Sequence, residues 1–310
     1  MEFSVFREHV LKEIESILKE TATVSLYNTQ KNNGVSLWAV VIKGNDTNVA
    51  PTIYLEKYYE MYNTTLTDIR EIAIKIIDFY YDHCDDVSFD FNNYLDFEKI
   101  KALLRCKLVN TEKNRELLEK VPHKEFLDLS IVFYCLFDEN IEYTQSTIVY
   151  KQHLKFWDVE EDELFEIAFK NTYICDLFEV SPMHEVIGQM IDNMRNDNGI
   201  SYEDDSVLEE IYENDMQMYV ISNKRKVFGA TAMLYIDLFK KIATKIDSDL
   251  YILPSSIHEI IVVPMHTIDD LDNYGEMVRC VNENEVYPDE VLSDNVYIYY
   301  RCDNKICLPK

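Results

Sequence analysis

The chain has 310 residues, with 30 Lys and Arg against 57 Asp and Glu, a formal net charge of −27, and 47% hydrophobic residues. So much negative charge excludes sequence-independent wrapping of nucleic acid, which needs a basic footprint, and the apolar fraction excludes an acidic disordered polymer. The longest apolar run, Phe126–Phe137, is interrupted by Asp128 and falls short of the roughly 20 residues that span a bilayer.

In chain order, Met1–Glu20 predicts an amphipathic helix, because Phe3, Phe6, Val10, Leu11, Ile14, Ile17 and Leu18 recur at helical spacing. Its mixed charges and lack of an apolar signal core predict no export signal and a cytoplasmic location. Ala22–Thr29 and Gly34–Ile42 are rich in β-branched and aromatic residues, and the Asn33-Gly34 between them predicts a hairpin. Pro51 is expected to open a helix through about Asn63, and Leu66–Asp82 a second one capped by Thr67. Asp85–Asp96 reads as an acidic connector. Phe97–Lys101 predicts a short helix, Leu103–Asn110 a strand, and Thr111–Asn114 a capped helix start that Pro122 ends.

Phe126–Phe137 and Ser146–Tyr150 predict paired strands. Helices follow from Asp158 to about Asn171 and from Ser181 to about Met194. From Asp192 to Asp215 nine acids stand against Arg195 alone, so 196–215 is expected to be an acidic linker. Beyond it the pattern predicts a strand at Met218–Ser222, a helix at Ala230–Ile246, strands at Leu250–Leu253 and Ile260–Val263, a helix at Asp269–Asn284 and a strand at Asn295–Cys302. The fold class expected is α+β, with a mixed helix and hairpin region over 1–195 and a β-α-β-β-α-β domain of ferredoxin-like order over 216–310.

Glycine is the informative absence. The six glycines are never closer than ten residues. A phosphate-cradling loop and a nucleophile elbow both need clustered glycines, so neither is expected, and no cofactor site is predicted. The seven cysteines, Cys84, Cys106, Cys135, Cys175, Cys280, Cys302 and Cys307, are odd in number and scattered, and several sit in apolar runs, which predicts reduced, buried thiols in a cytosolic protein. Cys302 and Cys307 have the separation of a zinc pair, but only Cys280 and His266 could complete it, so no metal is expected.

The acidic groups Asp85-Asp86, Glu160–Glu163, Asp204-Asp205 and Glu209-Glu210 read as solvated surface, and Glu160–Glu163 also favours a helix start. Asp289 followed by Asp303-Asn304-Lys305 matches a loose nuclease pattern. Its second half reads as a turn. The basic cluster Asn223-Lys224-Arg225-Lys226 reads as a turn after a strand. The most site-like string is Leu253–Glu259, which packs Ser255, Ser256, His258 and Glu259 between two apolar strands. These are the ingredients of nucleophilic catalysis, and they equally suit a polar turn that satisfies its own backbone.

Several strings together resemble one protein family: Asn48–Leu55, Asn114–Leu118, Val121-Pro122-His123 with Phe126–Leu129, His153–Trp157, Gly229-Ala230, Leu250–Glu259 and Pro288–Asp294. The family is one of unknown function from anaerobic, gut-type bacteria, and the middle region is distantly similar to the YtpQ-like family. The resemblance covers nearly the whole chain. It implies a bacterial cytosolic protein and assigns no catalytic residue. Tyr235-Ile236-Asp237 departs from the Tyr-Pro-Gly helix opening that the resemblance implies.

The reading is therefore a non-enzymatic acidic protein that binds a macromolecule. A basic protein partner is expected, and neither direct nucleic-acid contact nor membrane attachment is. The alternative is a hydrolase centred on Ser255, Ser256, His258 and Glu259.

Overall fold

The computed structural model describes residues 1–44, 51–84, 94–139, 144–198, 218–265 and 270–309. The chain divides into two compact units, Met1–Tyr94 and Leu95–Lys310. Both mix helices with antiparallel sheet, so the class is α+β.

In the first unit, α1 (Phe3–Leu18) buries Phe6, Val10, Ile14 and Leu18, one residue per helical turn. Each such side chain contributes about 1.5–3 kcal/mol when withdrawn from water. The stripe packs with Val40 and Ile42 of the sheet and with Ile72, Ala73 and Ile76 of α3 (Ile69–Cys84). β1 (Ala22–Gln30) and β2 (Ser36–Gly44) pair in antiparallel register from Ala22↔Gly44 to Gln30↔Ser36. Asn33 and Gly34 both take positive φ at the connection, the conformation that Asn and Gly adopt most readily.

The helix expected from Pro51 is displaced. Thr52–Tyr54 instead forms β3, paired with Ala39–Val41 of β2, and α2 spans Glu56–Thr65. Two β-branched residues and an aromatic beside a ready strand edge outweigh proline as a helix opener. The cap of α3 is Asp68 rather than Thr67, since the Asp68 carboxylate accepts the Arg70 N–H and its carbonyl accepts the Ile72 N–H. Trp38 on β2 is held from two sides: the Arg7 guanidinium lies 3.5 Å from its ring centroid, and its backbone N–H donates to Glu56 Oε1 at 2.8 Å.

Among its described residues the second unit contains two sheets. In the first, β6 (Leu129–Glu139) is central. β4 (Leu104–Asn110) lies along one edge, with β5 (His123–Phe126) and β7 (Thr144–Ile148) in line along the other. The apolar run expected as one strand from Phe126 is thus a hairpin, turning at Leu127, whose φ is 58°. Short helices α4 (Phe97–Ile100) and α5 (Arg115–Leu118) flank β4, and α6 (Lys151–Trp157) and α7 (Glu161–Cys175) follow β7.

The other sheet has six antiparallel strands in the order β13-β12-β10-β11-β9-β8. They are β8 (Phe178–Pro182), β9 (Tyr219–Asn223), β10 (Leu250–Pro254), β11 (Ile260–Pro264), β12 (Tyr297–Tyr300) and β13 (Lys305–Cys307). Sequence periodicity missed β8, which is short and directly precedes α8 (Met183–Asn198). The helix expected from Ala230 begins later. Gly229–Leu234 is a 3-10 segment and α9 is Ile236–Ile246. α10 spans Asp270–Asn284.

A β-α-β-β-α-β succession runs from β9 to β12, but the ferredoxin-like expectation needs correction. Ferredoxin-like folds lay both helices on one face of a four-stranded sheet. Here the sheet has six strands, and the two helices take opposite faces. Val278 and Tyr274 of α10 pack with Ile298 and Tyr300, whereas Phe239 of α9 meets Tyr299, and successive residues of a strand point to opposite faces. The expected acidic linker at 196–215 falls mostly outside the described residues, as do Asp85-Asp86 and His266. Among the described residues, no helix is long and apolar enough to cross a membrane.

Candidate functional site

The polar centre of the second unit forms where β4, α7 and the end of β9 meet. Thr172, on the last turn of α7, donates to Ala168 O at 2.8 Å and accepts the Cys106 N–H at 2.9 Å. One turn on, Asp176 is only 2% exposed. Its Oδ1 accepts Arg225 Nη2 at 2.7 Å and lies 3.9 Å from Arg105 Nε, and its Oδ2 accepts Asn223 Nδ2 at 3.2 Å. Burial lifts the Asp176 carboxyl above the usual range, against the opposing pull of Arg225 and then Arg105. Burial likewise pushes the Cys106 thiol up to about 12 and raises the Tyr134 and Tyr235 phenols. Charge here is costly, and the two guanidiniums offset the cost of one carboxylate.

The turn from Asn223 to Gly229 builds on that anchor. Asn223 closes it by donating to Val227 O at 2.8 Å and accepting the Val227 N–H at 3.2 Å. Lys226 and Phe228 take φ of 51° and 57°, a region unfavourable to side chains of that bulk. The Phe228 ring packs between neighbours: the Tyr134 ring meets it edge-on at 5.3 Å, the His258 ring stacks on it at 5.7 Å, and the Lys107 ammonium lies 4.1 Å from its centroid.

The string Ser255–Glu259 connects β10 to β11 and meets this turn through His258. The Phe228 N–H donates to His258 Nδ1 at 3.2 Å, so in the neutral ring the proton sits on Nε2, which faces Glu290 Oε1 at 3.5 Å. Ser222 donates to the His258 carbonyl at 2.8 Å. Ser255 donates to Glu259 Oε1 at 3.4 Å, and Ser256 Oγ accepts the His258 N–H at 3.0 Å. The four candidates thus lie together in one turn. Each serine hydroxyl bonds Glu259 or a backbone N–H rather than the imidazole, which is the partner a serine nucleophile needs.

The other motifs disperse. The expectation of buried thiols holds for Cys106 and Cys135 but not for Cys175, Cys280 and Cys302, which are exposed; Cys280 and Cys302 lie on separate elements, and Cys307 lies in β13. Among the described residues, no three His, Cys, Asp or Glu side chains converge to hold a metal ion. Asp303-Asn304 is the turn joining β12 to β13, with Asn304 at φ 47°. Glu161, Asp162 and Glu163 occupy the first turn of α7.

The pattern missed Asp176, Arg105, Thr172 and Tyr235. The available signal was a charge set inside an apolar run: Arg105 within Leu103–Val109, and Asp176 between Cys175 and Leu177-Phe178.

Fold and site together define an α+β protein with a buried polar cluster in which Asp176 bonds Arg225 and Asn223 beside Arg105. Over residues 3–301 the chain matches a family of unknown function, DUF5688, and belongs to it. No curated protein and no solved structure matches the chain.

Proposed function

We propose that the protein is a non-enzymatic, cytoplasmic binding protein whose partner is a basic protein. The observation that carries this reading is the charge. Arg105 and Arg225 face the buried carboxylate of Asp176. Setting those three aside leaves 30 − 2 = 28 cationic residues against 57 − 1 = 56 acidic ones, or −28 for the rest of the chain. A field of that sign accelerates encounter with a basic surface and repels nucleic acid. The bonding of Ser255 to Glu259 and of Ser256 to a backbone N–H, rather than to the His258 imidazole, supports a scaffold role for that turn.

The test is affinity capture from lysate at about 50 mM salt and again at about 0.5 M, where the screening length falls below about 5 Å. Basic proteins are expected at low salt and should be released at high salt. Recovery of nucleic acid, or partners held equally at both salts, would overturn the reading.

A further inference from the structure

The six-stranded sheet ends at β8, which among the described residues has one neighbouring strand, β9. The register runs from Phe178↔Asn223 to Pro182↔Tyr219. One step further, the Met183 N–H donates to Met218 O at 2.9 Å, so Met183 and Met218 form a hydrogen-bonded pair. In an antiparallel ladder such pairs alternate with pairs whose N–H and C=O groups point away. Ser181 and Glu179 therefore bond toward β9, whereas Phe178, Val180 and Pro182 turn their backbone groups outward. The outer edge thus offers the N–H groups of Phe178 and Val180 and the carbonyls of Phe178, Val180 and Pro182.

The surroundings of that edge are apolar and acidic. Tyr173, Ile174 and Leu177, immediately before β8, are 53%, 56% and 52% exposed. Tyr173 and Phe178 share a face, since both rings lie against Tyr235, at 5.1 and 5.3 Å. Glu179 is exposed on the opposite face of the strand.

We propose that β8 receives an extended segment of a partner protein as an added strand, with Lys or Arg opposite Glu179 and apolar residues on the Phe178 and Val180 side. The inference rests on the basic-partner reading above and names where and how that partner binds. Exposed edges are templates for this mode of recognition, in which the ladder supplies affinity and alternate side chains supply specificity.

A second copy of this chain fits poorly. Pairing two β8 strands about Glu179 sets the two carboxylates directly opposite, which is destabilising. Pairing them about Val180 sets Pro182 opposite Phe178, and Pro182 has no N–H to donate. A foreign strand bearing a cation meets neither obstacle.

The experiment measures binding of a fluorescent peptide of alternating Lys and Val to the full chain by anisotropy at low salt. Three comparisons accompany it: the same peptide N-methylated at alternate amides, a proline-spaced peptide of equal charge, and the variants Val180→Pro and Glu179→Lys. Because the Val180 N–H points outward, proline there leaves the β8–β9 ladder in place. The parent is expected to bind the Lys/Val peptide, and both Val180→Pro and N-methylation should weaken binding by roughly tenfold or more. Glu179→Lys should weaken it too. Equal binding by Val180→Pro, by the N-methylated peptide or by the proline-spaced peptide would overturn strand addition, as would no binding by the parent. Salt-sensitive capture of basic proteins is judged separately, so the broader reading survives or fails on its own result. If circular dichroism shows Val180→Pro misfolded, the N-methylated peptide against the parent decides.

Discussion

Asp176 is the residue on which the second unit's polar centre turns, and its titration fixes a sign. Its folded-state pKa lies above the unfolded value of about 3.9 because burial disfavours the charge. The folded chain therefore binds that proton more tightly than the unfolded chain. The resulting stability is full below the unfolded pKa and is lost as pH rises through the folded one. Arg225 lowers the folded pKa, so Arg225→Ala should raise it further and extend the loss to higher pH. Unfolding by urea should show Arg225→Ala weakened by about 3 kcal/mol at pH 7 and by clearly less at pH 4. An equal loss at both would contradict a charged Asp176–Arg225 pair.

The thiols give a second residue-scale test. Burial pushes both Cys106 and Cys135 up to about 12, whereas Cys175, Cys280 and Cys302 are exposed. Labelling at pH 8 with mass-spectrometric readout should modify Cys175 and Cys280 first. Cys302 should follow more slowly, because the neighbouring Asp303 raises its pKa. Cys106 and Cys135 should react only on unfolding.

Among the elements, the Asn223–Gly229 turn and the β10–β11 connection meet at a junction with no room for a side chain at Gly229. A Cβ on Gly229 would overlap the His258 carbonyl oxygen and Ser222 Oγ and come within 2.8 Å of Asn223 N. Two of those three atoms are backbone and cannot swing aside. Gly229→Ala should therefore cost about 3 kcal/mol or more, and adding Ser222→Ala should not restore it. His258→Ala removes the acceptor of the Phe228 N–H and should cost about 1 kcal/mol. A His258→Ala chain more stable than its parent would mean that the turn holds strain for a purpose other than folding.

The same junction shows what the residue pattern could convey. Leu250–Leu253 and Ile260–Val263 were legible as strands because short apolar runs flank a polar turn, and the proximity of Ser255, Ser256, His258 and Glu259 follows from adjacency in sequence. Which groups bond was not legible, because the partners Phe228, Ser222 and Glu290 come from 30 or more residues away. Thr52–Tyr54 and Phe178–Pro182 were misread or missed for a related reason. A strand of three to five residues carries too few alternations to declare a period, and a neighbouring edge decides its fate.

At the scale of the whole molecule, charge and fold oppose each other. Fifty-seven acids against 30 cations repel one another more strongly in the compact state than in the expanded chain. Local pairs offset only part of this. Several, such as Arg70–Glu13 and Lys75–Glu71, involve exposed groups, and such pairs contribute about 0–1 kcal/mol each. Salt shortens the range of the repulsion from about 30 Å at 0.01 M to about 10 Å at 0.1 M. Sodium chloride added over that range at pH 8 should therefore raise the melting temperature by a few degrees. The control is pH. Near the sequence isoelectric point of about 4.5 the net charge vanishes, and the same salt then screens attractive pairs as much as repulsive ones. The melting temperature should there stay level or fall slightly. A rise of equal size at both pH values would assign the effect to the salt's action on apolar burial, and a flat response at pH 8 would mean that the packing of the two cores outweighs the repulsion.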